Sequence, residues 1–313
     1  MVAQRACDGG SIRMTTLPRW PHGKRMALVV SVDFFDTHAI QTQEPRMSGR
    51  DKSLSVWQYG ARRGVDRLLQ VFDEYKIATS WFVPGRVALE HRALVQRIHA
   101  ARHEIGNASF ACEDFDRLSL AQQHESLGTA QAALTDVTGE APVGFRAPFG
   151  NWAPGFTQHL RAAGIEWSSS WRGDDRPYFH PSAATSDAPL IEVPLHYELE
   201  DEPYFSFNLY PPVPVGQPRI ASYREVLANW RQDFAGFRRF GLCLPLRIHP
   251  ELLGTAGRID LLRELLNTVR SHDDVWVATG REIAQWWRSQ YRANEPGHPV
   301  DVLAPLQQAS PLS

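Results

Sequence analysis

Hydrophobic and polar positions follow two alternating periods along most of this chain. Residues 27–33 form a continuous apolar, β-branched run, which is typical of a strand buried on both faces of a parallel sheet. Residues 60–75 instead carry apolar side chains at helical spacing, namely Val65, Leu68, Leu69, Phe72 and Tyr75. The same switch between a short apolar run and a helical repeat recurs as far as residue 290. This alternation predicts an α/β protein with a mostly parallel sheet and helices outside it.

The predicted strands are short apolar segments, at 27–33, 79–83, 104–106, 143–146, 165–168, 190–194, 242–249 and 275–278. The predicted helices cover 60–75, 87–101, 154–163, 221–239, 258–271 and 280–290, and one more helix begins after Ser119. Ser119 and Gln122 have the spacing of a capping box. Seven or eight strand–helix units suggest a closed barrel. The segments 172–189 and 203–218 are long loops, which in a compact domain are often functional.

The two ends of the chain differ from its centre. Residues 1–20 are predicted to be a loose arm and 293–313, rich in Pro, Gln and Ser, a frayed tail. Residues 21–292 are then a single barrel domain. A chain of 313 residues can bury a substantial core without disulfides or metals.

Charge and cysteine content limit the function classes. The net charge is −2 and no basic block is present, which argues against a nucleic-acid partner. The three cysteines, Cys7, Cys112 and Cys243, fit free thiols in a reducing compartment better than a disulfide framework. No apolar run approaches the roughly 20 residues of a membrane helix, and the N-terminus lacks the apolar region of a secretory signal. We therefore expect a cytoplasmic protein that does not bind a membrane.

Several polar residues fall where predicted strands end, which in a βα barrel is where chemistry is carried out. They are Asp33, Asn107, Arg146, Ser168 and His249. An Asp at a strand end can also be a cap, and a lone His on an apolar strand is more often a hydrogen-bonded core residue. The convergence of all five positions, and the Pro after His249, favour a functional site.

Four segments, in order along the chain, carry a family resemblance. They are Ser-Val-Asp-Phe-Phe-Asp (31–36), His-Glu-Ile-Gly-Asn-Ala-Ser-Phe-Ala-Cys-Glu-Asp-Phe (103–115), Gly-Phe-Arg-Ala-Pro-Phe-Gly (144–150) and Leu-Arg-Ile-His-Pro-Glu (246–251). Together they resemble the NodB-type polysaccharide deacetylase superfamily, carbohydrate esterase family 4. The branch they resemble holds Helicobacter-type peptidoglycan deacetylases, cyclic imidases and metal-independent allantoinases. The resemblance covers roughly residues 20–290.

The resemblance implies a fold and roles for three residues. The fold is the distorted (β/α)7 barrel of the family. Asp33 matches the general base that activates water, Arg146 the residue that orients this base, and His249 the general acid that protonates the leaving nitrogen. Members are often dimers or tetramers, so the resemblance also implies a homo-oligomer.

The family's metal ligands are replaced in this chain. The resemblance places the second Asp and the two His ligands of zinc at Phe35, Ala108 and Cys112. A catalytic zinc site needs three protein ligands, so we expect no metal cofactor. Asp36 stands one residue late, which on a strand turns the side chain to the opposite face. The alternative is Zn²⁺ or another divalent metal in a relocated site of Asp36 and Cys112 with a neighbour, for which the candidates are His38, Glu113 and Asp114.

Loss of the metal changes the expected substrate. A carboxylate alone activates water less well, and the oxyanion then needs backbone N–H groups or Arg146. An activated amide such as a cyclic imide, hydantoin or ureide remains feasible. Metal-independent allantoinases are the precedent that the resemblance implies, although their Glu-Glu-Gly-Gly-Glu segment after the first motif is absent here. We predict hydrolysis of a carbon–nitrogen bond in a small linear or cyclic amide.

Three alternatives stay open from the sequence. One is a metal-dependent deacetylase with the relocated site. Another is a non-catalytic barrel that binds a small molecule or a partner. In the third, Cys112 is a nucleophile near a helix start with His249 as its base, whereas the simpler interpretation of Cys112 is a small buried side chain in place of His.

Aromatic residues cluster beside the motifs, in loop-like segments. They are Trp152, Trp171, Tyr178, Tyr204, Phe205 and Phe207. Substrate pockets are mainly apolar, so we expect Phe149, Trp152, Trp171 and Tyr178 to contribute to substrate binding. Residues 173–178 resemble a loop of the same branch near the active site, which makes Asp174 and Asp175 candidates for binding substrate. The alternatives are core positions for the aromatic residues and a solvated turn for the two Asp residues.

Overall fold

The strands of this computed structural model, which describes residues 20–181, 188–216 and 219–302, form a single curled sheet. The strands are β1 (Met26–Asp33), β2 (Ser80–Val83), β3 (Glu104–Asn107), β4 (Gly144–Phe145), β5 (Trp167–Ser168), β6 (Tyr178–Phe179), β7 (Ile191–Glu192), β8 (Cys243–Ile248) and β9 (Val275–Val277). β1 and β8 are buried along their whole length, as their continuous apolar sequence predicts.

Seven parallel strands make up the body of the sheet, in the order β7-β5-β4-β3-β2-β1-β8. β6 is added antiparallel at one edge, and β9 pairs with the first residues of β1. Within the described ranges the two edge strands, β6 and β8, do not pair with each other. The seven parallel strands confirm the prediction of the family's distorted (β/α)7 barrel. The expectation of a closed barrel is wrong, because the sheet is curled but its edge strands leave it open.

The helices follow the strands on the outside. They are α1 (Asp36–Gln43), α2 (Asp51–Tyr59), α3 (Val65–Tyr75), α4 (Gly85–Glu90), α5 (Arg92–Ala100), α6 (Leu120–Thr138), α7 (Phe156–Ala162), α8 (Glu202–Phe205), α9 (Tyr223–Phe240), α10 (Ile259–Arg270) and α11 (Gly280–Gln290). A π-helical segment, Gly60–Gly64, joins α2 to α3. At α6, Ser119 and Gln122 make both hydrogen bonds of the expected capping box.

The sequence-based boundaries differ from the structure where the apolar repeat is weak. The helix predicted at 60–75 starts instead at Asp51, through α2 and the π-helical segment. The helix predicted at 87–101 is interrupted at His91, whose backbone is not helical. α1 and the short elements β6 and α8 lie in segments that carry no clear period. Short elements depend on tertiary packing, which a local pattern does not contain.

α11 covers the end of the barrel at which strands β2 and β3 begin. The backbone N–H of Gly280 donates to Ser80 Oγ and that of Arg281 to Glu104 Oε2. Ser80 and Glu104 are the first residues of β2 and β3. Trp20, Trp167 and Trp287 share one buried cluster at this end. The carboxyl ends of the strands lie at the opposite end, the mouth, where other βα barrels carry their active sites.

The predicted terminal segments lie mostly outside the described residues. This holds for 1–19 and 303–313, and for Cys7. The described start of the predicted tail packs on the fold, since the Asn294 side chain bonds both the N–H and the C=O of Phe179. The domain boundaries stay a prediction. Cys112 and Cys243 are free and buried. Among the described helices, none combines the length and apolar character that crossing a membrane requires.

Candidate active site

Asp33 is the last residue of β1 and is fully buried at the mouth of the barrel. Its Oδ1 accepts a hydrogen bond of 2.6 Å from Arg146 Nη1, and its Oδ2 one of 2.7 Å from Arg247 Nε. Burial by itself would raise the pKa of Asp33, but the charges of the two guanidinium groups lower it to about 2. Asp33 is therefore an ionised, doubly paired carboxylate at neutral pH.

Arg146 follows β4 directly and lies flat over the ring of Phe82, with 4.0 Å between its Cζ and the ring centroid. Besides Asp33, its guanidinium donates to Ser31 Oγ and to the carbonyl and hydroxyl of Ser169. Its donors thus reach the carboxyl ends of two strands, β1 through Ser31 and Asp33 and β5 through Ser169. Such a planar, fully used fork fixes Arg146, and hence Asp33 Oδ1, in one position.

Arg247 extends this network from β8 toward the surface. Its Nη1 donates to Glu200 Oε2 at 2.8 Å, and Glu200 Oε1 accepts from Arg172 Nη2 at 2.7 Å. Arg172 is partly exposed and lies over the Tyr197 ring. The chain of alternating charges compensates each buried ion with a partner of opposite sign.

His249 follows β8 directly and faces Asp33. Its Nε2 lies 3.9 Å from Asp33 Oδ2, while its Nδ1 bonds Asp201 Oδ1 at 2.7 Å. The second oxygen of Asp201 accepts from the backbone N–H of His249. Burial would lower the pKa of His249, but the buried Asp201 carboxylate raises it to about 10. At neutral pH His249 is therefore a positioned imidazolium.

The structure thus brings together the three residues that the sequence predicts as catalytic. Asp33, Arg146 and His249 come from three different strand ends and meet around Asp33. Of the other strand-end candidates, Asn107 bonds Leu127, Gln131 and Ser109, and Ser168 bonds Ser170. These two side chains support the local backbone and do not bond Asp33.

The positions of the family's metal ligands are apolar and tightly packed. Phe35, Ala108 and Cys112 belong to one buried cluster, and between them they offer one atom able to bind a metal. In the described ranges no group of three or more His, Cys, Asp or Glu side chains is arranged to hold a metal ion. The residues present do not fit a zinc ion at the family's position.

The candidates for a relocated metal site are used by local structure instead. Asp36 Oδ2 bonds His91, and His38 bonds Glu90. Glu113 accepts from Ser109 Oγ and from the backbone of Ala111, and Asp114 caps the turn at Asp116. The structure therefore does not assemble these side chains around a common point.

Cys112 is a buried residue in a left-handed turn, with φ of 58°. It does not begin a helix, contrary to the expectation on which its nucleophilic alternative depended. Burial raises the pKa of its thiol well above the usual value, and the nearby carboxylates of Glu113, Asp33, Glu251 and Asp36 raise it further. A neutral thiol at neutral pH argues against this alternative and for a small buried side chain.

Two of the predicted aromatic residues form a wall beside Arg146. Trp152 and Trp171 have ring centroids 5.4 Å apart, and each packs against His180. His180 Nε2 bonds the buried Glu192, whose other oxygen accepts from the backbone N–H of Trp171. Trp171 is two residues from Ser169, which bonds Arg146. The wall is therefore linked to the site through the chain between Ser169 and Trp171, and both tryptophans are partly exposed.

Other predicted binding residues have structural partners. Tyr178 is buried against His298, and its hydroxyl donates to the carbonyl of Arg172. Phe149 is partly buried beside the cluster of Phe35 and Ala108. Phe205 is in the main core, with Tyr204 packed against it. These contacts make Tyr178 and Phe205 supports for the fold.

Asp174 and Asp175 are not brought to the site. Asp174 bonds the backbone of Arg176 and lies 3.2 Å from His298 Nε2. The carbonyl of Asp175 accepts from the N–H of Cys243, the first residue of β8. At about 3.3 Å per residue, that end of β8 is roughly 20 Å from His249. The interpretation of these two residues as a turn agrees better with their contacts.

Three residues of the site were not predicted, namely Arg247, Glu200 and Asp201. The sequence held a signal for Arg247 only. It is a charged residue inside an apolar strand, two residues before His249 and so on the same face. Glu200 and Asp201 lie in an aperiodic segment, where nothing local indicates their partners.

Comparison with known proteins identifies the family. A family profile for polysaccharide deacetylase matches residues 49–168. The structure superimposes on that of a protein from Mycobacterium smegmatis named as a polysaccharide deacetylase, with a TM-score of 0.83 and 29% identity, over 91% of this chain and 98% of the other. The chain belongs to the polysaccharide deacetylase family. It is a hydrolase of that family, as the sequence predicted.

Two further comparisons are with proteins of lower sequence identity. A peptidoglycan deacetylase from Helicobacter pylori is 23% identical over 250 residues, which cover 71% of this chain and 82% of the relative. An allantoinase structure matches with a TM-score of 0.76 and 21% identity, over 94% of this chain and all of the other. The second likeness shows the fold alone. The predicted membership of this deacetylase family is confirmed.

Proposed function

We propose that this member of the polysaccharide deacetylase family hydrolyses a carbon–nitrogen bond in a small linear or cyclic amide without a bound metal. The observation that supports this is the pair of Asp33 and His249, whose facing atoms are 3.9 Å apart with a fixed partner behind each. A paired acid and base at the mouth of a barrel has no purpose in a binding-only protein, since charges buried this deeply cost stability.

The geometry supplies the parts that hydrolysis needs. His249 holds a proton at Nε2 and can give it to a leaving nitrogen, as the family resemblance implies. Arg146 and the imidazolium add positive charge where an oxyanion would form. Asp33 is the base implied by the resemblance, although its low pKa makes it a weak one.

The replacement of the metal ligands restricts the substrate. Phe35, Ala108 and Cys112 offer no ligand set, so the carbonyl would be polarised by hydrogen bonds and cations alone. An amide that is already activated, such as a cyclic imide, a hydantoin or a ureide, suits such a site. The Trp152–Trp171 wall provides an apolar surface for a small flat molecule.

The test is hydrolysis of a panel that contains succinimide, hydantoin, allantoin and an N-acetylglucosamine oligomer. We expect turnover of at least one cyclic imide, hydantoin or ureide, and its loss in Asp33→Asn and His249→Ala. Asp73→Asn is a control, because Asp73 is exposed and its side chain pairs with the exposed Lys76. Thermal unfolding of each variant separates loss of chemistry from loss of the fold. No turnover of any compound by the parent protein would contradict the proposal.

The second candidate is an N-acetyl deacetylase with a relocated metal. It is supported by the sequence similarity to the peptidoglycan deacetylase from Helicobacter pylori. The two candidates differ in metal content and product. We expect plasma mass spectrometry of untagged protein, purified without chelator, to find much less than one zinc per chain. About one metal ion per chain, with acetate released from the oligomer, would favour the second candidate.

A further inference from the structure

Arg172 is the most exposed of three arginines that are linked at the mouth of the barrel. It stands four residues after Ser168, the last residue of β5, and so on the carboxyl side of that strand. Its Nη2 donates to Glu200 Oε1 at 2.7 Å, and Glu200 Oε2 accepts from Arg247 Nη1 at 2.8 Å. Arg247 Nε in turn donates to Asp33 Oδ2 at 2.7 Å. One carboxylate and one guanidinium group therefore separate Arg172 from Asp33.

The ion pairs of this network leave one positive charge unmatched. Five charged residues alternate in sign along it, in the order Arg146, Asp33, Arg247, Glu200 and Arg172. The row begins and ends with a cation, so three arginines share two carboxylates. The imidazolium of His249 beside it is matched by Asp201. Glu202 is a further carboxylate whose charge acts on Arg247 and His249, and within the described ranges it forms no ion pair with Arg172.

Arg172 has unused hydrogen-bond donors, in contrast to the two arginines behind it. Every guanidinium nitrogen of Arg146 and of Arg247 donates to an oxygen of the protein. In Arg172, Nη2 bonds Glu200 and Nε is buried, while the guanidinium lies 3.6 Å from the centre of the Tyr197 ring. Its Nη1 is accessible to solvent, and no described residue accepts a hydrogen bond from it. Arg172 therefore presents free N–H groups on a guanidinium that Glu200 and Tyr197 hold in place.

The segment that carries Arg172 also carries two other parts of the site. Ser169 bonds Arg146, and Trp171 belongs to the Trp152–Trp171 wall. The backbone here is fixed, because the Trp171 carbonyl accepts from the N–H of Leu195 and the Arg172 carbonyl from the Tyr178 hydroxyl. A molecule bound against this segment meets an apolar surface and, in the next residue, a fixed cation. Guanidinium groups match carboxylates in charge and in planar geometry.

We infer that Arg172 is a specificity-determining residue that binds a carboxylate of the substrate through its free Nη1. The inference rests on the proposed function and names its substrate class, which is a small amide, imide or ureide that carries a carboxylate. The carboxylate supplies the third acceptor that the row of three arginines lacks. The flat part of the molecule lies on the Trp152–Trp171 wall, and its carbon–nitrogen bond reaches Asp33 and His249.

The first test measures hydrolysis of two pairs of compounds that differ in one carboxylate, hydantoin-5-acetate with hydantoin and ureidoacetate with ureidoacetamide. In the pair that is turned over, we expect the parent protein to have a kcat/KM about 10–100-fold higher for the anion, as a hydrogen bond to a charged group contributes. Arg172→Gln should abolish this ratio, chiefly through KM. Arg172→Lys should restore part of it, because lysine keeps the charge without the planar fork.

Arg176→Gln is the matched control for this test. Arg176 is an arginine of the same loop, but it pairs with Glu295, and the variant should keep the ratio. Thermal unfolding of each variant shows whether the fold is retained. A parent that is active on other amides but does not prefer the anion in either pair would overturn the inference and leave the proposed function intact. An unchanged ratio in Arg172→Gln would do the same.

The second test needs no turnover and so does not depend on the chemistry of the site. Its probes are cyclopentylacetate and cyclopentylethanol, a carboxylate and its neutral counterpart without a carbon–nitrogen bond. Titration calorimetry should show that the parent protein and Arg176→Gln bind the carboxylate about 10–100-fold more tightly than the alcohol. Arg172→Gln should bind the two compounds equally. Equal affinity of the parent for both compounds, or no binding of the carboxylate, would contradict the inference.

Discussion

At the scale of residues, the site is organised by the competition between burial and ion pairing. Asp33, Arg146 and Arg247 are nearly or completely inaccessible, yet each charge has an opposite charge within hydrogen-bonding distance. Removing water from a charge is costly, and only close, well-aligned partners recover that cost. Burial raises the pKa of both Asp33 and Glu251, but two arginines lower that of Asp33 to about 2. The pKa of Glu251 is raised to about 8, because among the described residues no cation bonds its carboxyl.

Arg247→Met is expected to destabilise the protein, because it leaves Asp33 Oδ2 and Glu200 Oε2 without their charged partner. Breaking a buried ion pair from one side costs about 3–5 kcal/mol. Urea denaturation would measure the free energy of unfolding. Arg231→Met is the control, since its pair with Glu264 is exposed and should contribute about 0–1 kcal/mol. Equal effects of the two substitutions would show that the buried network adds no stability.

At the scale of elements, close approach of backbones positions the turn after His249. Gly64 packs against Pro250, and Gly254 in turn packs against Gly64. A side chain at either position has no space. The helix pair α2–α3 therefore fixes the β8–α10 connection through glycine contacts, and this connection carries His249 and Glu251 at its start.

Gly64→Ala is expected to be strongly destabilising, by more than the roughly 1–3 kcal/mol of a usual overpacked site, since backbone atoms rather than a flexible side chain would have to move. Gly128→Ala in α6 is the matched control. No atom lies within 4 Å of its added Cβ, so it should be neutral or stabilising by about 0.5–1 kcal/mol. Thermal unfolding of both variants checks this. A tolerated Gly64→Ala would mean that the turn is more adaptable than its packing indicates.

At the scale of the whole molecule, the titrating groups predict how stability depends on pH. The pKa of His249 is raised from 6.5 to about 10, so its contribution is complete below about pH 6.5 and is lost as pH rises through 10. The pKa of Asp33 is lowered from 3.8 to about 2, so its contribution is present above about pH 4 and is lost as pH falls through 2. Stability should therefore decline at both extremes.

The alkaline decline can be assigned by substitution. His249→Gln should flatten the dependence of Tm on pH between about pH 7 and 10, because Asp201 no longer has a protonated partner to lose. Exposed His124 offers a control, as His124→Gln should leave the slope unchanged. An equally steep decline in His249→Gln would attribute the alkaline loss to other groups.

The sequence alone predicted the α/β fold, because continuous apolar runs and helical repeats report burial directly, and it indicated the family through the resemblance of four motif segments. β1 and β8 are the clearest apolar runs, and Asp33 and His249 at their carboxyl ends were predicted to meet with Arg146. The sequence also showed that Phe35, Ala108 and Cys112 replace the family's usual metal ligands, because this comparison requires only the identity of the residues at matched positions. The proposed roles of these residues remain predictions.

Only the tertiary structure decided which charges meet. Arg247 pairs with Asp33 of the neighbouring strand β1 and with Glu200, and both Glu200 and Asp201, which reaches His249, come from an aperiodic segment. Asp175, by contrast, was a candidate that the structure does not bring to the site, because the loop after Trp171 runs to the amino end of β8. Local patterns record which face of an element is buried. They do not record how loops return, and a buried charge acquires its partner and its pKa only from that geometry.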